Sequence, residues 1–258
     1  MVDLHAHILP GIDDGPRSLD DALALARAAV AAGTRVLAAT PHVNDRFDPA
    51  PGEVVAALGE LEEALADAGI PLALATGAEV AHARLGDLDA ERLAAHSLGE
   101  RGVILLECDP PAARHLEEDV TALLDRGHGV LLAHAERCRV FRDDPGLVAR
   151  LAESGAFVSV TAASFAGAFG ASAERLAFVL LEAGLVDDIA SDAHDAHHRP
   201  PDLCAGHRAI GRRLQGAGDW VRWLVDESPA ALLAGEQPPP APGPPPTPRR
   251  GLGPFLRR

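Results

Sequence analysis

The sequence contains no lysine and no tyrosine, so all 23 of its fixed side-chain cations are arginines. Histidine aside, its aromatic side chains are seven phenylalanines and two tryptophans, too few for a base-stacking platform for single-stranded nucleic acid. The core must therefore be built from Ala, Leu and Val. A net charge of −15 argues against a broad nucleic-acid or anionic-membrane surface, because phosphate backbones demand clustered cations. A phosphate-bearing substrate would have to meet local positive charge instead. Three cysteines occur far apart, Cys108, Cys138 and Cys204, which fits reduced thiols and not a disulfide framework. No apolar run approaches the roughly 20 residues that span a bilayer, and the N-terminus lacks a basic region followed by an apolar stretch. The expectation is a cytoplasmic protein with no transmembrane segment and no nucleic-acid partner.

What is present is a regular alternation. With 258 residues, 47% of them hydrophobic, the chain can bury one large core, and a single barrel-type domain or two small domains would suit that length. Short aliphatic or β-branched runs alternate with longer Ala/Leu/Glu/Arg segments of helical period, the signature of βα units around a parallel sheet. Seven strands are predicted, at 2–5, 35–40, 71–77, 102–107, 129–134, 157–162 and 187–192. Helices are predicted near 18–32, 52–68, 112–126, 145–154, 171–183 and 203–216. Ser18 followed by Asp20 and Asp21 reads as a helix start, and Gly33 and Gly69 stand where C-terminal caps belong. The folded domain is expected over 1–235. Beyond it, "QPPPAPGPPPTPRRGLGPFLRR" repeats proline, which precludes helix or central strand, so a disordered, partly polyproline-II, arginine-terminated tail is expected over 236–258.

Enzymes built on parallel βα barrels assemble their sites at the C-terminal ends of the strands. Here the first strand runs into His5 and His7, with Asp14 soon after, and the second ends in "TPH" at His42. The third ends in "TGAE" at Glu79 and the fourth in "LLE" at Glu107. The fifth ends in "AHAER", giving His134 and Arg137, and the seventh in "SDAH", giving Asp192 and His194. So many imidazoles and carboxylates on one rim outline a metal cluster. The donor types suit Zn, Mn or Fe, and their number implies two or three ions. His96, His115, His128 and His207 fall on helices or strand starts and are read as solvated; His82, His197 and His198 stand in rim loops, open to solvent or to substrate.

The segments "DLHAHILPGIDDG", "ATPH", "GAE", "LLE", "AHAERC" and "ASDAH" followed by "RP" resemble the PHP (polymerase and histidinol phosphatase) superfamily. Within it the chain looks most like the bacterial manganese-dependent protein-tyrosine phosphatases of capsule and exopolysaccharide loci, over roughly residues 1–235. The resemblance implies an α/β fold, a distorted seven-stranded (β/α)7 TIM-like barrel, with a trinuclear site of divalent ions, manganese foremost. It implies one ion held by His5, His7, Glu79 and Asp192, a second by Glu79 as bridge with Glu107 and His134, and a third by Asp14, His42 and His194. Arg137 and Arg199 match the phosphate-binding arginines. The implied substrate is a phosphotyrosine protein, such as a bacterial tyrosine kinase. The chain departs from the usual pattern in reading "EVAHA" without an arginine after Glu79, "HAERC" for "HPERN", and "VNDRFDP" without a second histidine.

Such a site would hydrolyse a phosphate ester with a water whose pKa the metals lower toward about 7. Arg137 and Arg199 would stabilise the developing charge, and Asp14 or His194 could hand a proton to the leaving group. The run "CDPPAAR", Cys108 to Arg114, has the Cys-x5-Arg spacing of cysteine-dependent phosphatases. Two prolines without N–H and a repelling aspartate argue against a phosphate loop there. Two alternatives remain at this level: a phosphatase of a small ester resembling histidinol phosphate, and a non-catalytic metal-binding module.

Overall fold

The structure is a computed structural model that describes residues 1–99, 102–108 and 115–248. Its parallel strands are β1 (Val2–Ala6), β2 (Val36–Ala39), β3 (His42–Val43), β4 (Ala73–Thr76), β5 (Glu79–Ala81), β6 (Val103–Glu107), β7 (Gly129–Leu132), β8 (Phe157–Thr161) and β9 (Asp188–Ala190). The second and third strands each continue, after a break, into a short strand beyond the expected bounds of 35–40 and 71–77. Pro41, which has no N–H to give a ladder, separates β2 from β3, and Gly77 and Ala78 separate β4 from β5. The hydrogen-bonded orders β1-β2-β4 and β3-β5-β6-β7-β8-β9 share these broken strands, so one ladder runs through both. It closes where His7 N–H donates to the Ala193 carbonyl at 2.8 Å and Asp192 N–H to that of His5 at 2.9 Å. The result is a distorted seven-stranded parallel barrel, as the βα alternation predicts.

The helices are α1 (Leu19–Ala31), α2 (Pro51–Asp67), α3 (Ala90–Ala95), α4 (Leu116–Asp125), α5 (Arg139–Asp143), α6 (Pro145–Glu153), α7 (Ala171–Glu182), α8 (Leu203–Arg213), α9 (Ala217–Arg222) and α10 (Ser228–Leu233). Ser18 caps α1 by accepting from Asp21 N–H at 3.2 Å. The inward stripe of that helix, Ala22, Leu25, Ala26 and Ala29, has helical spacing and small residues that let it close on the strands. α3, α5, α9 and α10 are too short for periodicity to reveal them. Strand alternation sorts the core into two layers. Ile104, Leu106, Val130, Leu132, Val158 and Val160 face the helices, packing with residues such as Phe141 and Phe178. Val103, Leu105, Leu131 and Ala133 join Val2 and Leu4 in a separate cluster, with Leu98 and Leu232. That inner plug leaves the strand C-terminal ends to polar groups.

Residues 236–248 depart from the expected disorder. The Trp220 indole N–H donates to the Pro244 carbonyl at 2.9 Å and that of Trp223 to Pro239 at 3.0 Å. β10 (Leu214–Gln215) pairs antiparallel with β11 (Thr247–Pro248). The reason is that proline lacks a donor but keeps its carbonyl acceptor, and each indole, 5% exposed, needs one. The rest of the basic tail, 249–258, lies outside the described residues. Truncation after Glu236 is expected to lower unfolding stability by about 2–4 kcal/mol, from two lost hydrogen bonds and newly exposed ring surface. A urea midpoint unchanged by the truncation would contradict this packing.

Candidate metal centre

His5 and His7 flank Ala6 at the end of β1, so both imidazoles emerge on one side. The loop that follows folds back on them. Asp13 accepts the Nδ1–H of His7 at 2.6 Å and the backbone N–H of His42 at 3.1 Å, while its other oxygen accepts from Gly15 at 3.0 Å. Because a carboxylate only accepts, a His7 proton sits on Nδ1, which turns Nε2 toward the centre. Glycine is required at 15, where a Cβ would lie 2.5 Å from the His7 carbonyl oxygen.

Glu79, 1% exposed, is the hub. Its Oε2 lies 3.3 Å from His5 Nε2, 3.4 Å from His7 Nε2 and 2.9 Å from His42 Nδ1, and its Oε1 lies 2.6 Å from His134 Nε2. Asp192 Oδ1 is 3.5 Å from the Nε2 atoms of both His5 and His7. Glu107 Oε1 stands 3.7 Å from His134 Nε2. On the solvent side, Asp14 Oδ1 lies 3.5 Å from His42 Nε2 and 3.4 Å from His194 Nε2. The structure thus brings together all nine His, Asp and Glu residues singled out in the sequence. Their donor atoms form overlapping sets: His7, Asp14, His42 and His194; His5, Glu79 and His134; His5, His7 and Asp192; and His42, Glu79 and Glu107. His5, His7, His42 and Glu79 each belong to two sets, and for the three imidazoles this is an overlap that spacing did not reveal.

The backbone is bent to achieve this. His134 has φ of 31° and Asp192 of 53°, a region that non-glycine residues seldom occupy. Alternation along β7 would send His134 toward the helices with Val130 and Leu132; the left-handed turn brings it into the barrel mouth instead.

The donor set fits divalent cations. Glu79 Oε2, His42 Nδ1 and His194 Nε2 are buried without a hydrogen-bond partner, although the first two lie 2.9 Å apart. Buried donor atoms that converge without well-aligned hydrogen bonds are what an ion would satisfy once the imidazoles give up their protons. Burial opposes charge on every group here and is outweighed at most of them. Hydrogen bonds to Asp13, Asp192 and Glu79 hold His7 well above the usual imidazole range, and Glu79 lifts His42 and carries His134 to about 9. His5 and His134 hold Glu79 well below the carboxylate range, and His5 and His7 do the same for Asp192. Burial alone prevails at His5, which is lowered, and with the positive charge of His7 it takes His194 down to about 4.

Arg137 and Arg199 both donate to Asp192 Oδ2, the latter at 2.5 Å. The Arg137 guanidinium also lies 4.3 Å over the Phe169 ring, a contact that nothing in the sequence signals. Glu136, fully buried, accepts from Thr161 N–H at 3.2 Å and Ser164 Oγ–H at 2.5 Å and so ties the end of β7 to β8. Among the loop histidines, His197 and His198 line a cavity of about 460 Å3 beside Asp14 and His194. His82 pairs with Asp119 at 2.8 Å on another face. His96, read as solvated, is 1% exposed at the C-terminal cap of α3. The Asp-Pro-Pro-Ala-Ala-Arg part of the Cys108 motif lies outside the described residues.

Residues 1–234 match the family of capsular polysaccharide synthesis proteins CpsB/CapC. The chain is 35% identical over 201 residues to the tyrosine-protein phosphatase YwqE of Bacillus subtilis, covering 77% of this chain and 79% of that protein. It is 25% identical over 236 residues to the tyrosine-protein phosphatase CpsB of Streptococcus pneumoniae, covering 88% and 96% respectively. A solved structure from work on these two proteins, described as metal-dependent tyrosine phosphatases, superposes with a TM-score of 0.84 at 31% identity, covering 95% of this chain and 99% of that one.

Two outcomes are expected. Asp13→Ala, which frees the His7 ring, should weaken divalent-metal binding by about 10–100-fold in chelator competition without altering the circular dichroism spectrum. Ion uptake should release at least one proton near pH 7, because His7, His42 and His134 have raised pKa values and must deprotonate to ligate. Affinity should therefore climb as pH rises toward 9, which calorimetry in buffers of different ionisation enthalpy would read.

Proposed function

Because the chain belongs to the CpsB/CapC family, we propose that it is a metal-dependent protein-tyrosine phosphatase that removes phosphate from phosphotyrosine in a protein substrate. The observation that supports it best is the ring of imidazoles and carboxylates around Glu79, several of whose buried donor atoms have no hydrogen-bond partner. Two or three divalent ions, manganese foremost, would be held by His5, His7, Glu79 and Asp192, by Glu79, Glu107 and His134, and by Asp14, His42 and His194. Bound there, they would neutralise phosphoryl oxygens and acidify a water for an in-line displacement.

The chain's own residues supply the rest. Arg137 and Arg199 are the phosphoryl-binding groups, each a planar fork of donors. Asp192 holds both guanidiniums at the centre, and the Phe169 ring fixes the plane of Arg137. Preorganised in this way, they lose little freedom when charge builds on the transferring group. A phenolate leaves with a pKa near 10, so modest proton donation suffices. Asp14 and His194, adjoining the cavity at the open side, are placed to supply it. The substrate we assign is a tyrosine-phosphorylated protein of an exopolysaccharide locus, such as its tyrosine kinase.

The test is turnover of a phosphotyrosine peptide and of small phosphate esters by protein loaded with Mn, Zn, Fe or Co. Glu79→Ala should abolish activity with loss of bound metal, and Arg137→Ala should lower kcat/KM by about 10²–10³-fold. Cys108→Ser should leave it unchanged. Activity that survives chelation, or wild-type rates in both site variants, would overturn the assignment.

A further inference from the structure

Beyond Arg137 the rim carries guanidiniums that the centre does not use. A cavity of about 620 Å3 lies between α5, the start of α6 and α7, lined in part by Arg139, Arg142, Asp143, Ser172, Arg175 and Leu176. The chain leads into it directly from the site. α5 begins two residues after Arg137 and α7 two residues after Phe169, and those two side chains stack on each other. A segment crossing the Arg137–Phe169 contact on its way out of the centre therefore meets this cavity.

Its charge is unbalanced. Asp143 lies 3.5 Å from Arg139 and matches it, whereas Arg142 and Arg175 have no carboxylate partner among the described residues. In a chain of net charge −15, two unmatched guanidiniums facing one cavity are a local exception. The N-terminus of α7 adds to it, since Gly170 brings no capping side chain and the helix has its positive end there. Glu174, the acid in that first turn, is engaged with Arg213 at 3.3 Å and leaves the charge of Arg175 uncompensated. Leu176, Val179 and Pro145 give the cavity an apolar floor on which aliphatic stems of Asp or Glu side chains can rest.

We propose that this cavity docks acidic residues flanking the phosphotyrosine, so that the enzyme selects phosphotyrosine segments with neighbouring Asp or Glu. The inference rests on the phosphotyrosine reading and adds the sequence context of its substrate. Arg142 and Arg175 are exposed, so their effect is a moderate, salt-dependent gain in binding and not a change in the chemical step.

The experiment uses the full-length, manganese-loaded protein with three phosphotyrosine peptides that differ only in flanks of Asp/Glu, Ala/Ser or Arg, and a small phosphate ester. The acidic peptide should exceed the neutral one in kcat/KM by about tenfold at low salt, mainly through KM, and lose most of that advantage at high salt. In the Arg142→Ala/Arg175→Ala double variant the ratio should fall to within about twofold, and Arg175→Glu should shift preference toward the arginine-flanked peptide. Equal kcat/KM for the three peptides, or an acidic preference that survives the double variant, would overturn the docking site. Turnover of the small ester with none of any peptide would instead overturn the phosphotyrosine reading beneath it.

Discussion

One buried carboxylate governs the mouth of this barrel. Glu79 is 1% exposed, and four imidazoles reach its oxygens within 3.4 Å. A lone carboxylate so placed would be driven to protonate, and stripping partners from a buried charge costs about 3–5 kcal/mol. The chain therefore commits the ends of β1, β3 and β7 to it. In this arrangement the imidazoles of His7, His42 and His134 act as counter-ions by holding protons, as their raised pKa values record. A divalent ion would take over that compensation, so the cluster is satisfied by protons or by metal and collapses in neither case.

Holding these groups constrains the backbone around them. The breaks at Pro41 and at Gly77–Ala78 shift β3 and β5 so that His42 and Glu79 face each other in register. The barrel closes through Asp3, whose Oδ1 accepts the N–H of His5 and that of Ser191 at 3.0 Å across the seam. His5 and Asp192 are thereby fixed from below by a group that never reaches the centre. The positive φ at His134 and Asp192 is strain that such support sustains.

The barrel was legible because each βα unit repeats the same short-strand, long-helix punctuation, and the nine polar residues were legible because all but Asp14 lie within two residues of the end of a strand predicted from the sequence. Direction was not. Residue spacing says nothing of the left-handed turn at His134, and it shows neither the sharing of His5, His7 and His42 between donor sets nor the Phe169 ring beneath Arg137. Asp13 was legible only as a turn residue, since its task depends on a 2.6 Å contact six residues back. The prolines misled for a definite reason. A propensity argument counts the missing N–H, while Pro239 and Pro244 act here through carbonyls that two buried indoles require.

An acidic enzyme acting on an anionic ester poses an electrostatic problem that this chain answers locally. At physiological ionic strength, fields beyond about 8 Å are largely screened, so the net charge slows encounter less than nearby charges decide it. What matters is the sign of the potential within a few ångströms of the site. There the positive groups are arginines held in defined places: Arg137 between Asp192 and Phe169, Arg199 on the same carboxylate, and Arg139, Arg142 and Arg175 around the adjoining cavity. An arginine presents its donors in a fixed plane, where an ammonium on a flexible stem would be a mobile point charge. The absence of lysine, whatever its origin, thus leaves every cation near the rim a directional one, and anion selectivity becomes a matter of where guanidiniums are anchored and which carboxylates already occupy them.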